Sequence, residues 1–287
     1  MKIGIFGNFV TPNGTGELLA DFAVRAEAIG VDSLWAGEHV VLFDEMEFGY
    51  PGSRDGRIPM PPGGGMLDTV ASIGYLSAVT STLRFGTGIT LVPQRNPVYT
   101  AKEFASLDWL SGGRIDFGIG VGWCKEEVLA CGYGWHDRGR RCDEFLDLIH
   151  QLWRDDVVHF DGEFIDVQGA RLTPKPVQAP LPTLVGGHSP AAFKRTARFG
   201  QGWYGFAITP EMTRGLLDQL DAALDAEGRS RDDCEVLVTP PFRCDEAMAA
   251  EFAALGVDRL IVQLGSNKPE NLEKKLVEFD ALVQAFA

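Results

Sequence analysis

The chain has 287 residues, with 26 basic against 40 acidic side chains and a formal charge of −14. A surface so acidic repels nucleic-acid backbones and anionic lipid, so neither is an expected partner. The 45% hydrophobic content is that of an ordinary globular chain, and no apolar run is long enough to cross a bilayer.

The start, MKIGIFGNFV, lacks the apolar stretch and small-residue cleavage site of a secretory signal. Strand patterns follow at 2–9, 32–37, 83–91, 114–121, 182–186, 202–206, 234–239 and 258–264. Helical patterns lie between them at about 16–29, 68–81, 97–110, 138–153, 189–199, 210–227, 245–254 and 269–285. Asn96-Pro97 and Ser189-Pro190 read as N-cap and first helical residue of their helices. Residues 26–35, AEAIGVDSLW, and 253–262, AALGVDRLIV, share one joint: a helix stopped at Gly, then a strand entered through Val-Asp. ARFGQGWYGF at 197–206 has the same grammar. Eight strand–helix alternations predict a single α/β domain over 1–287, a (β/α)₈ TIM barrel. An open doubly wound sheet is the alternative, because periodicity does not show closure. Insertions are expected at about 39–67, rich in Gly and Pro, and at 155–181, where VVHFDGEFIDV predicts a hairpin turning at Asp161-Gly162. Five cysteines, at 124, 131, 142, 234 and 244, form no C-x-x-C and fit reduced thiols of a cytosolic protein.

The stretch LSGGRIDFGIGVGW at 110–123 is the densest in glycine. Gly118, Gly120 and Gly122 are spaced G-x-G-x-G, which does not match the dinucleotide pattern G-x-G-x-x-G. Strand alternation puts Ile115, Phe117, Ile119, Val121 and Trp123 on one face, and Arg114, Asp116 and the three glycines on the other. The bulky face is expected against outer helices and the bare face toward the barrel axis. RFGTGITL at 84–91 is thinned in the same way at Gly86 and Gly88. Two readings follow: a slot for a planar ligand, or space filled by neighbouring side chains. His136, His150, His159 and His188 show no metal-ligand spacing.

LRFGTGITLVPQRNPVYTAKEFASLDWLSGGRIDFGIGVGW, the KEE that follows at 125–127, RGRRCDEFLDLIHQLW at 138–153 and PTLVGGHSPAAFKRTARFGQGW at 182–203 together resemble the luciferase-like monooxygenase superfamily. The pattern is most similar to the branch of oxidoreductases that use the deazaflavin coenzyme F420. The resemblance implies a TIM barrel with the cofactor ring at its C-terminal mouth and a non-prolyl cis peptide at Gly88–Ile89. It implies cofactor contacts at Gly88, Ile89, Thr90, Gly118, Gly120, Gly122, Trp123, Gly186, Gly187, His188 and Ser189. The last four open a helix, whose N-terminus suits a phosphate. Barrel phosphate sites usually follow the seventh and eighth strands, and this is the fifth. Glu38-His39, in WAGEHVV at 35–41, would be the catalytic pair, with His39 moving a proton and Glu38 orienting it or bonding the ring. Some relatives carry a carboxylate directly after the glycine strand. Here Trp123 takes that place and is expected to wall the pocket, while Glu126 is expected to pair with Arg138 or Arg140.

The function implied is hydride transfer between reduced F420 and a small organic substrate, with the 39–67 loop as a lid. The alternatives are a monooxygenase that uses reduced FMN and O₂, and a flavin-binding protein without turnover. A separate reductase supplying reduced cofactor is an expected partner, and a homodimer is an open expectation.

Overall fold

The computed structural model describes residues 1–7, 9–50, 53, 55–58, 60–241, 243–265 and 268–286. Asn8, in the predicted strand 2–9, lies outside the described residues, as do positions 51, 52, 54 and 59 of the 39–67 segment. The barrel strands are β1 (Lys2–Phe6), β2 (Ser33–Ala36), β3 (Arg84–Thr87), β4 (Thr90–Leu91), β5 (Ile115–Gly120), β8 (Thr183–Gly186), β9 (Gly202–Phe206), β10 (Glu235–Thr239) and β11 (Arg259–Gln263). All pair in parallel; β1 joins β2 and β11, and β3 joins β2 and β5, so the sheet closes on itself. The predicted strand 83–91 is split into β3 and β4 at Gly88–Ile89, whose peptide bond is cis. With those two counted as one interrupted strand, the barrel has the eight expected positions, and the open doubly wound sheet is excluded.

The outer helices are α1 (Gly16–Ala28), α2 (Thr69–Ser77), α3 (Pro97–Ser111), α4 (Lys125–Ala130), α5 (Arg138–Arg154), α6 (Pro190–Phe199), α7 (Pro210–Ala226), α8 (Glu246–Ala254) and α9 (Pro269–Phe286). The Asn96 side chain accepts from the amides of Val98 and Tyr99, and Ser189 Oγ from that of Ala192, as their sequences predict. Gly30 and Gly256 take φ of 84° and 80°, the left-handed stop expected after a helix. Gly200, at −87°, does not, so the third joint shares only the sequence pattern. Helix α4 was not foreseen; six residues are too few to show a helical period.

The hairpin, β6 (Val158–Asp161) with β7 (Asp166–Ala170), turns over 162–165 rather than at Asp161-Gly162 alone. The Glu144 carboxylate takes the amides of Glu163, Phe164 and Ile165. That side chain lies on α5, so the longer turn was set by a partner distant in sequence.

Side chains divide as alternation on β5 requires. Phe117 faces outward, with ring centroids 4.3 Å from Phe104 on α3 and 5.4 Å from Trp153 on α5. Inside the barrel, Phe6, Trp35, Leu184, Tyr204, Leu237 and Ile261, each from a different strand, form one apolar cluster. Toward the N-terminal end lies an ionic layer. Asp116 is 1% exposed and is bonded by Arg84 Nη2 at 2.5 Å and Arg259 Nη1 at 2.5 Å. Arg259 also reaches Glu235 at 2.8 Å. Burial alone would push the Asp116 carboxyl up, but the Arg259 and Arg84 charges outweigh it and hold the group below the usual range.

His150, on α5, packs beside Trp153 and meets Thr183 Oγ1 at 3.0 Å. Burial, helped by the Arg154 charge, lowers its pKa to about 4. The unfolded chain binds that proton near pH 6.5, whereas the folded one does not until about 4. Stability therefore falls as pH drops through this window, by up to about 3 kcal/mol. Denaturant unfolding of His150→Phe between pH 7 and 4 should show a shallower decline than the parent; parallel curves would remove His150 from the acid sensitivity. Among the described residues, no helix is long and apolar enough to cross a membrane.

Candidate functional site

Strand β2 ends at Ala36 and delivers Gly37, Glu38 and His39 to the C-terminal mouth. Glu38 does not orient His39. Its buried carboxylate accepts the Leu91 amide at 2.9 Å and pairs with Arg95, which in turn holds Glu103 at 2.5 Å. Burial pushes the Glu38 carboxyl above its ordinary range, against the pull of the Arg95 charge and the Leu91 amide. The carboxylate that meets His39 is Glu127, with Oε2 2.9 Å from Nδ1. Glu127 is fully buried, and its Oε1 takes the Val40 amide at 2.5 Å. One side chain of α4 therefore fixes both the imidazole and the backbone behind it.

The other residues at the start of α4 hold the following loop. Lys125 pairs with Glu47, and Glu126 accepts the Glu47 amide at 2.8 Å. The expected pairing of Glu126 with Arg138 or Arg140 does not form. Arg138 lies over the Trp135 ring, 3.6 Å from its centroid, and Arg140 binds Glu163. Phe48 stacks on the same Trp135, with centroids 5.8 Å apart.

A cavity of about 480 Å³ opens at this mouth. It is bordered by Glu38, His39, Gly88, Ile89, Gly122, Trp123, Gly186, Gly187 and His188, all named from the sequence. Trp123 stands edge-on to His39 at 5.5 Å and packs against Tyr50 at 5.4 Å, so it does wall the pocket. Thr90, Gly118, Gly120 and Ser189 do not border it. Thr90 is buried, and the Ser189 hydroxyl is the cap of α6.

The two glycines have a different purpose from the one expected. A Cβ on Gly118 would run into the Thr87 carbonyl oxygen, and one on Gly120 into Ile89 Cδ1. The Ile89 side chain is seated against Gly120 and Gly186, while Gly86 makes room for the Trp35 indole. The bare face of β5 is thus filled by neighbouring residues of the barrel. The surface that borders the cavity includes Ile89 itself, with Phe6 and Tyr204.

Sequence reasoning missed Tyr50, Ile58 and Met66 from the long loop, and Phe206, Ala207 and Met212 from the β9–α7 junction. Nothing in the local pattern marks the loop residues, or Phe206 at the end of β9 and Met212 in the first turn of α7, as cavity-facing. Arg95 and Glu127 were also missed as partners of the Glu38-His39 pair; the KEE after Trp123 was the one available signal for Glu127.

Over residues 1–279 the chain matches the family of luciferase-like monooxygenases. The chain belongs to the luciferase-like monooxygenase family. Within that family, an uncharacterized protein of Mycobacterium tuberculosis is 33% identical over 250 residues, spanning 85% of this chain and 83% of that protein. An F420-dependent glucose-6-phosphate dehydrogenase of Microbacterium testaceum is 31% identical over 231 residues, spanning 78% of this chain and 63% of that one. Among solved structures, an F420-dependent secondary alcohol dehydrogenase in complex with an F420-acetone adduct superposes with a TM-score of 0.81 at 18% identity, over 100% of this chain and 99% of that chain.

Proposed function

We propose that this protein is an oxidoreductase that moves hydride between coenzyme F420 and an organic substrate held in the mouth cavity. The observation that carries the reading is the His39–Glu127 pair at the rim of an apolar cavity. The residues present fit a flat heterocycle. The cavity has the volume of an ordinary small-molecule site, with an apolar floor of Ile89, Phe6 and Tyr204. The Glu38 carboxylate faces Arg95, so its charge is matched within the protein. His188 and Ser189, at the start of α6, would hold the anionic tail with backbone donors and the positive end of the helix, beside Gly187, whose own N–H donates to the Tyr204 carbonyl. When bound, the deazaflavin supplies the hydride chemistry.

The protein's own part is proton handling and exclusion of water. With Nδ1 turned to Glu127, Nε2 of His39 is the nitrogen that exchanges a proton with substrate. Glu127 holds the ring through Nδ1 and keeps it from rotating. Trp123 packs edge-on against His39, backed by Tyr50, and would limit the access of water to the imidazole. A separate reductase would supply reduced coenzyme, in the cytoplasm, and a second copy of the chain is a further proposed partner.

Fluorescence titration with F420 and, separately, with FMN tests the cofactor. Saturable binding of F420 and none of FMN is expected. Tight FMN binding without F420 binding would replace this reading with the flavin monooxygenase one, and binding of neither would defeat both.

A further inference from the structure

Among the described residues, no lysine or arginine lines the cavity. Its one carboxylate, Glu38, is engaged by Arg95 and the Leu91 amide. Much of the remaining polar equipment is also committed. The Tyr204 hydroxyl meets Thr239 Oγ1 at 2.7 Å, His188 Nε2 accepts the Phe206 amide at 3.2 Å, and His39 Nδ1 faces Glu127. Burial keeps His188 below the usual imidazole range, consistent with its neutral, accepting role. Around these groups stand Tyr50, Ile58, Met66, Trp123, Phe206 and Met212. They come from three separate segments: the long loop, the end of the glycine strand, and the β9–α7 junction.

We propose that the substrate of this site is an uncharged, predominantly apolar molecule with one hydroxyl or carbonyl group at the reacting carbon, and that phosphorylated or carboxylated substrates are refused. The proposal rests on the oxidoreductase reading above. An anionic group placed beside His39, away from the start of α6, sheds its water and meets no cation among the described residues. An apolar body instead gains from contact with the six large side chains. The single polar group of the substrate is matched by the free nitrogen of His39, the group already assigned the proton.

Met212 allows a test that spares the fold. It lies in the first turn of α7, borders the cavity and is 50% exposed, so a polar side chain there is tolerated. Ligand-observed NMR titrations, without cofactor, would compare cyclohexanone with glucose 6-phosphate. Saturable binding of cyclohexanone, tighter than that of glucose 6-phosphate, is expected. Met212→Glu should weaken cyclohexanone by about 10-fold, the scale of one mismatched pocket contact. Met212→Lys should tighten glucose 6-phosphate relative to cyclohexanone. A preference of the parent protein for glucose 6-phosphate, or cyclohexanone affinity unchanged in Met212→Glu, would overturn the proposal. The F420 titration is independent: cyclohexanone binding in a protein that ignores F420 would support the substrate class while sinking the cofactor reading.

Discussion

Replacing His39 with alanine is expected to lower kcat by about 10²–10⁴-fold, the usual contribution of a positioned acid–base group. Cofactor affinity should stay near that of the parent, because the imidazole is one side chain of a large lining. Single-turnover kinetics and a binding titration on the same preparation separate the two effects. Wild-type turnover in the alanine variant would remove His39 from the mechanism.

Glu127→Gln gives a sharper version of the same test. The Val40 amide donates to Oε1, so the glutamine oxygen must occupy that position. Its NH₂ then faces His39 Nδ1 and donates to it, which puts the ring proton on Nε2. A ring so arranged has no lone pair at Nε2 to take a proton, and the glutamine NH₂ opposes the doubly protonated ring that would give one. The variant should therefore lose kcat in both directions, as the fixed equilibrium of the reaction requires, while cofactor affinity is kept. Wild-type kcat in Glu127→Gln would reduce Glu127 to a packing residue.

Removing the Asp116 carboxylate should have the largest effect on stability. Arg84 and Arg259 both converge on it inside the barrel, and Arg259 is 3% exposed. In Asp116→Ala the two guanidinium groups are left facing each other across a cavity that water enters poorly. Breaking a buried ion pair from one side costs about 3–5 kcal/mol. For a chain of this size that is a fall in Tm of roughly 10 °C. The Asp116 pKa is depressed in the folded state, so its contribution is present at neutral pH and is lost as pH falls below about 4. The parent and variant melting curves should therefore converge in acid. A Tm unchanged at pH 7 would show that the ionic layer is not what closes the N-terminal end of the barrel. Since Asp116 lies below the apolar cluster, the cofactor titration of any surviving folded variant should be little affected.

Most of the architecture was legible in the linear chain. The eight strand–helix alternations, the helix starts at Asn96-Pro97 and Ser189-Pro190, and the two faces of β5 all follow from spacings of two to four residues. The positions of Glu38, His39, Gly88, Trp123 and Gly187 at the mouth follow from their places at strand ends, since a barrel brings all such ends to one side.

The identity of contacts across that mouth was not legible. His39 neighbours Glu38 in the chain, yet its carboxylate partner is Glu127, 88 residues away. The glycines of β5 look bare in sequence, but Thr87 and Ile89 from the adjoining strand occupy the space. Local pattern records which face a side chain takes, because alternation and helical repeat are properties of consecutive residues. Which side chain arrives opposite it depends on barrel closure, strand register and the path of the long loop. Those were decided only when residues far apart in the chain were packed together.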